Sequence, residues 1–205
     1  MAHVTKPSPA TGMPWSAAKR RALLLCCAAL LASPAGWAPG GAGAAESDDA
    51  LEHRVKAAFL YKFAGYVDWP PASFAAADTP LTIGVIGSES VAAELFQVAT
   101  GRTINNRAIA VKRIKAGEAL AGVHVLFIGA AERARLGQLA KNAQAHSVLT
   151  VSESEGALDQ GSMINFIVAD RRVRFEIGLD SAEKSGLRLS SRLLAVAQQV
   201  RTGNP

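Results

Sequence analysis

The hydrophobic pattern beyond residue 50 has the period of an α-helix. Glu52 and Lys56 are four residues apart, where they can pair on the exposed side of that helix. The residue before a proline is disfavoured in the helical region, so we expect the helix to stop by Trp69, ahead of Pro70. The apolar positions that define the helix are Leu51, Val55, Ala58, Phe59, Phe63, Tyr66 and Val67.

Short apolar runs and helical patterns alternate through the middle of the chain. A strand over 81–86 leads through Gly87 into a helix over 91–99, and a strand over 123–128 leads through Gly129 into a helix over 131–143. Two more strands are expected over 107–114 and 147–151. This order predicts an α/β fold, a three-layer sandwich with a mostly parallel central sheet.

The last third of the chain has a different pattern. The runs over 163–168 and 173–177 predict an antiparallel hairpin at the edge of the sheet near the C-terminus. A short helix over 181–185 and a final helix capped by Ser190 or Ser191 follow. The buried stripe of the final helix is expected at Leu193, Leu194, Ala197 and Val200.

The first 44 residues are typical of a secretory signal peptide. Lys19, Arg20 and Arg21 precede an apolar run over 22–31, and residues 42–44 read A-x-A. The run is about half of the ~20 residues that a membrane-spanning helix needs. We expect export to the periplasm with cleavage near Ala44, a flexible start over 45–50 and one domain over 51–205.

Removal of this segment changes the charge balance. It holds four of the 22 lysines and arginines and none of the 17 acidic residues. The remainder is nearly neutral, which disfavours nucleic acid as a partner. Both cysteines, Cys26 and Cys27, also lie in the segment, so the domain is expected to fold without disulfides.

No motif of hydrolytic chemistry is present. The chain lacks G-x-S-x-G, and the nearest approach, Gly87 to Ser90, fits a helix cap better than a nucleophile. Glu153, Glu155 and Asp159 are spaced like a solvated, charge-rich turn. We therefore expect no catalytic residues and no enzyme activity.

Metal and cofactor motifs are also missing. His53, His124 and His146 each fall alone in a separate element, without H-E-x-x-H or H-x-x-x-H spacing. The G-x-G-x-x-G pattern of dinucleotide sites is incomplete around Gly84 and Gly87. We predict no metal ligands and no cofactor.

Two features leave a small-ligand site open. Tyr66 and Trp69 follow the first helix, where their rings either seal the core or frame a ligand cleft. In a parallel sheet, ligands bind in the crevice outside the carboxyl ends of the strands. That crevice would lie among the turns 87–90, 129–132 and 152–155.

Several stretches together resemble the YfiR-like family of periplasmic repressors. KAAFLYKF over 56–63 and YVDWP over 66–70 resemble the opening helix of that family. The C-terminal part of that family is resembled by GSMINF over 161–166, FEI over 175–177 and SGLRLSSRLL over 185–194. The order of these motifs is specific, and the resemblance covers the chain from about Leu51 onwards.

The resemblance implies a regulator that binds the periplasmic sensor region of an inner-membrane diguanylate cyclase and represses it. Cyclic-di-GMP, and with it biofilm formation, would be lowered. Homodimers, sequestration by an outer-membrane lipoprotein and small aromatic ligands are further implications. Family members also use disulfides, and this sequence departs from them because no cysteine follows residue 44.

The hairpin region supplies the predicted partner-binding residues. We expect Phe166, Phe175, Glu176 and Leu187 to contact the partner, because apolar residues beside a charge suit an interface with a polar rim. Phe166 and Phe175 equally suit the core. A rival hypothesis is a periplasmic small-ligand sensor or carrier that serves another membrane receptor or kinase.

Overall fold

The computed structural model describes residues 47–203, so the predicted signal peptide lies outside the described residues. Helix α1 spans Asp48–Phe63. The Ser47 hydroxyl accepts a hydrogen bond from the N–H of Ala50, and acidic side chains in the first turn face the positive end of the helix dipole. Because of this cap, the helix begins inside the stretch 45–50 that we expected to be flexible.

Within residues 47–203, ten strands and four further α-helices follow α1. They are β1 (Val67–Asp68), β2 (Leu81–Ile86), α2 (Glu89–Ala99), β3 (Thr103–Ile104), β4 (Arg107–Arg113), β5 (Val125–Ile128), α3 (Leu136–Gln144), β6 (Leu149–Ser152), β7 (Ile164–Ala169), β8 (Arg172–Gly178), α4 (Leu179–Lys184), β9 (Arg188–Leu189), α5 (Ser191–Ala195) and β10 (Gln199–Arg201). A 3-10 turn over Ala130–Arg135 occupies the first part of the stretch that we predicted as the helix 131–143.

Eight of these strands form one sheet whose centre is parallel. Its order is β10, β8, β7, β6, β5, β2, β4, β3. The five strands from β7 to β4 run parallel to one another, whereas β3 and β8 are antiparallel to β4 and β7. Strands β1 and β9 form a separate antiparallel pair. The structure confirms the predicted α/β class and the mostly parallel sheet.

The sheet is covered by helices on both faces. Alternate residues of β5 show this, since Val125 and Phe127 pack in one core with α1 and α2, while Leu126 and Ile128 pack in a second core with α3. Such strands, buried on both faces, are typical of parallel sheets between helices. The three-layer arrangement is confirmed.

The predicted hairpin is formed by β7 and β8. Phe166 and Phe175 are cross-strand partners, and the turn consists of Asp170 and Arg171, both with positive φ. Two residues with positive φ form the type I′ turn that matches the twist of a hairpin. Strand β10 is added in parallel outside β8, so the hairpin lies one strand in from the end of the sheet.

The prediction for the last segment is wrong in one respect. Helix α5 stops at Ala195, and Val200 belongs to β10 and is 36% exposed rather than buried in a helical stripe. The backbone N–H of Gln198 donates to the carbonyl of Phe175, and β10 pairs with β8 from there. Leu193 is buried as predicted, and Leu194 and Ala197 pack against the same core.

Within residues 47–203, no helix combines the length and apolar character that crossing a membrane requires.

Candidate functional site

An apolar groove runs along α1, between this helix, the β7–β8 hairpin and α5. It joins two cavities of about 540 and 350 Å³ that share Phe59 as a wall. Four of the five large hydrophobic side chains that are exposed between residues 47 and 203 line it. The residues that define this apolar groove are Leu51, Val55, Phe59, Tyr66, Val168, Val173, Phe175, Leu193 and Val196.

Beneath the groove lies a cluster of four phenylalanines, three of which, Phe59, Phe63 and Phe175, line it. Phe59 and Phe63 are one turn apart on α1, and their rings stack with centroids 5.7 Å apart. The cross-strand pair Phe166 and Phe175 meets them from the sheet, with 4.9 Å between the centroids of Phe63 and Phe175. Aromatic pairs in these geometries stabilise the core beyond their buried area.

Charged side chains form the rim of the groove. Arg171 and Arg172 lie at the hairpin end, and Lys62 and Arg192 at the end near Tyr66. None of these four cations has an ion-pair partner among the described residues, although Asp48 and Glu52 line the hairpin end as well. An apolar centre with a charged rim is the usual composition of a protein interface.

The structure does not bring the four predicted partner-binding residues together on one surface. Phe166, Phe175 and Leu187 are at most 3% exposed and belong to the core. Glu176 is half-buried and, by strand alternation, faces away from Phe175. Phe175 alone of the four lines the groove, as part of its floor. Partner contact by these residues stays a prediction.

Sequence reasoning named Tyr66 but missed the other exposed members of the groove, Leu51, Val168 and Val196. Leu51 fits the helical stripe of α1 but is 50% exposed, because the hairpin leaves the flank of the helix open. Val168 is an apolar residue near the hairpin turn and is 58% exposed. The sequence did contain one signal for these residues. The apolar stripe of α1 is wider than the stripe that packing one face of a helix against the core requires.

Tyr66 and Trp69 lie in different surroundings. Tyr66 lines the apolar groove. Trp69 packs edge-on against Phe74 and His124, with centroid distances of 6.3 Å. This second cluster lies near the amino ends of β2 and β5, so the two rings do not frame a common cleft.

His124 is held in that cluster by both ring nitrogens. Nδ1 accepts a hydrogen bond from the N–H of Thr82, which leaves Nε2 protonated to donate to the carbonyl of Ser73 at 3.0 Å. Burial lowers the pKa of His124, and the nearby charge of Arg107 lowers it further, whereas the bond to Ser73 acts in the opposite direction. The neutral ring is a structural element of the core.

The turns at 87–90, 129–132 and 152–155, which follow the carboxyl ends of β2, β5 and β6, lie close together. Gly87 and Gly129 approach so closely that a Cβ on Gly129 would overlap the carbonyl oxygen of Gly87. The N–H of Ala130 donates to Oε1 of Glu153 at 2.9 Å, and this hydrogen bond connects the turn at 129–132 to the turn at 152–155. Backbone contact therefore fills the crevice between the first two turns, while a polar cavity of about 300 Å³ lies beside the third.

Residues 47–203 contain no cluster of three or more histidine, cysteine, aspartate or glutamate side chains arranged to hold a metal ion.

The described residues form a small α/β domain with an apolar groove that has a charged rim. The chain is a member of the YfiR/HmsC-like family, because the family model described as DUF4154, YfiR/HmsC-like, matches residues 53–198. This confirms the resemblance seen in the sequence. The family consists of periplasmic regulatory proteins rather than enzymes, and membership points to the regulation of diguanylate cyclase signalling.

A solved structure shares the fold. It is a conserved domain protein from Vibrio cholerae O1 biovar eltor, with a TM-score of 0.51 and 11% sequence identity. The alignment covers 73% of this chain and 60% of the other, so the present chain spans about three fifths of that protein. At this identity the likeness concerns the fold alone.

Proposed function

We propose that this protein represses an inner-membrane diguanylate cyclase by binding its periplasmic sensor region through the apolar groove. Repression from the periplasm lowers cyclic-di-GMP in the cytoplasm. The single observation that carries the proposal is the concentration of exposed apolar side chains in one groove. In a chain of this family, such a surface supports contact with another protein.

The physical basis is burial of the groove against an apolar segment of the sensor region. The exposed side chains of Leu51, Val168 and Val196 would leave water on binding, and the aromatic floor would be covered with little rearrangement. The unpaired cations at both ends favour a partner with acidic residues beside its apolar anchor. Homodimer formation and an outer-membrane lipoprotein partner are further proposals from the family resemblance.

The test is cellular cyclic-di-GMP with the gene intact, deleted and restored. Deletion should raise the level, and restoration should lower it. Restoration with Leu51→Asp/Val168→Asp should fail, because charges in the groove oppose its burial. Val200→Asp is the matched control, since Val200 is exposed but lies outside the groove. An unchanged level on deletion, with the protein exported and folded, would contradict the proposal.

A ligand sensor or carrier is the second candidate. The cavity of about 350 Å³ beside Tyr66, with apolar walls from Phe59 and Phe175, supports it. A small aromatic compound that raises the melting temperature of the wild type, but not of Tyr66→Asp, would favour this function.

A further inference from the structure

Strand β4 has an open outer edge along most of its length. Its inner edge pairs with β2 over residues 109–113. On its outer side, β3 is two residues long and pairs with residues 107 and 108 alone. The stretch 109–113 therefore has no further strand beside it among the described residues, and it extends over roughly 16 Å. The strand at the other end of the sheet, β10, is only three residues long.

The backbone groups of β4 alternate between its two edges. The N–H of Ile114 donates to a carbonyl of β2 and so points to the inner edge, whereas the N–H of Ile109 donates to the carbonyl of Arg102 and points outwards. Because this direction alternates along a strand, Val111 and Arg113 direct their N–H and C=O groups outwards, as Ile109 does. No strand of the described chain pairs with these groups of Val111 and Arg113.

An open edge of this kind is a template for one more strand. Unpaired N–H and C=O groups in a row can pair with another chain, and many proteins bind extended peptides in this way. Val111 is half-buried and packs against the core, while Lys112 and Arg113 are exposed. The edge therefore offers an apolar contact and positive charge together with its free backbone groups.

The charge of this region restricts the possible occupants. Residues 100–117 contain no acidic side chain and five basic ones, Arg102, Arg107, Lys112, Arg113 and Lys115. Lys112 and Arg113 form ion pairs with glutamates outside the stretch, and Arg102 and Arg107 have no carboxylate partner among the described residues. A strand with acidic side chains would be attracted to this edge.

A second copy of the chain is the poorer occupant. Antiparallel pairing of two β4 strands about Ala110 would place Arg107 of one copy opposite Arg113 of the other. Like charges directly opposite one another on paired strands are destabilising. The same basic side chains that oppose pairing between copies thus favour an acidic strand from a different chain.

We propose that the outer edge of β4 binds an extended acidic segment of another protein, which joins the sheet as a further strand. Its backbone would pair with Val111 and Arg113, its apolar side chains would extend the layer of Val111, and its acidic side chains would lie beside Lys112. The site does not depend on the proposed function, because β2, β5 and β6 separate β4 from the hairpin that lines the apolar groove.

The test is a titration of the purified protein with the heptapeptide TEVEVET, which alternates acidic and β-branched residues. Two comparison peptides separate charge from strand formation. TKVKVKT carries the opposite charge, and TEPEPET keeps the glutamates but contains prolines, which disrupt a strand ladder. TEVEVET should bind at least about fivefold more tightly than either of them.

Amide hydrogen exchange shows whether the peptide pairs with the backbone. Saturating TEVEVET should slow the exchange of the Val111 and Arg113 amides by at least about fivefold, because their N–H groups become hydrogen-bonded. The amides of Ala110 and Lys112 already face β2 and should slow by less than about twofold. Equal slowing at all four positions, or none, would contradict strand addition.

Two variants at one position separate the backbone from the side chain. Val111→Pro removes the outward N–H and should weaken binding of TEVEVET by about fivefold or more. Val111→Ala keeps that N–H and should weaken binding by about twofold at most. The amide spectrum reports whether each variant is folded.

A charge variant tests the preference for acidic segments without altering the backbone. Lys112→Glu should weaken binding of TEVEVET by about threefold or more and strengthen binding of TKVKVKT. Lys141→Glu, at an exposed lysine on α3, should change neither affinity by more than about twofold. An unchanged preference in Lys112→Glu would contradict the predicted contact.

Two further outcomes would overturn the proposal. Equal binding of TEVEVET and TEPEPET would show attraction by charge alone. Protection of the Val111 and Arg113 amides that rises with protein concentration, without peptide, would show that a second copy covers the edge.

Discussion

The neutral ring of His124 makes folding sensitive to pH. Its folded pKa is lowered, mainly by burial and also by the charge of Arg107, and lies below the value of about 6.5 expected in the unfolded chain. Between those two values the unfolded chain binds more protons than the folded one. The free energy of unfolding therefore falls as the pH drops below about 6.5.

Urea unfolding at pH 8 and pH 5.5 tests this dependence. The wild type should lose stability on acidification, and His124→Phe, although less stable at pH 8, should lose less. His146→Gln is the control at an exposed histidine and should keep the slope of the wild type. Equal slopes for the wild type and His124→Phe would show that His124 does not carry the effect.

The contact between Gly87 and Gly129 requires glycine at position 129. A Cβ there would overlap the carbonyl of Gly87, so Gly129→Ala should lower the free energy of unfolding by about 2 kcal/mol. In Gly137→Ala the added Cβ would lie 3.8 Å from the carbonyl oxygen of Gln160, and α3 gains helix propensity. Thermal or urea unfolding should show a loss for the first variant and no loss for the second.

At the scale of elements, Lys56 fastens α1 to the end of β6. Lys56→Met would leave the largely buried carboxylate of Glu153 without its cation and should cost about 2–4 kcal/mol of unfolding free energy. Asp159→Asn breaks the pair Asp159–Arg201, which is far more exposed, and should cost less than about 0.5 kcal/mol. Urea titration compares the two, and similar losses would contradict the anchoring role.

The turn of the β7–β8 hairpin places Asp170 and Arg171 in a conformation that favours glycine. Both have positive φ, at 52° and 58°. Arg171→Gly should raise the free energy of unfolding by about 0.5–1 kcal/mol. Because Arg171 lines the apolar groove, the same variant should weaken partner binding while it stabilises the fold. Calorimetry and a binding titration separate the two effects, and destabilisation would refute the first.

The longer helices and strands could be predicted because their burial leaves a recognisable pattern of apolar residues in the sequence. Residues 81–86 are apolar except for Thr82, as expected for a strand between two helical layers, and this pattern located β2. Residues 199–201 have no such signal, because β10 is exposed along its length and is held by backbone pairing with β8. The two-residue strands β1 and β9 are likewise set by pairing in space.

The candidate site was less predictable than the fold. The sequence identified the hairpin segment and the family, but Phe166 and Phe175 turned out to be buried. Exposure of Leu51 and Val168 depends on where α1 lies against the hairpin, which residue types alone do not specify. The meeting of Lys56 and Glu153, 97 residues apart, is likewise a product of the tertiary fold.

At the scale of the whole molecule, the fold places two surfaces side by side. Glu52 and Val168 line both the apolar groove and the polar cavity, so the two share one wall. The proposed occupant of the groove is an apolar protein segment. The central claim concerns the groove, because the regulatory function depends on it.

The most direct measurement is the affinity of the purified protein for the isolated periplasmic region of the cyclase, by titration calorimetry. The wild type should bind, Leu51→Asp/Val168→Asp should bind at least about tenfold more weakly, and Val200→Asp should bind like the wild type. Circular dichroism of each variant shows that it is folded. Equal affinity of the groove variant and the wild type would contradict the account, as would a wild type that does not bind.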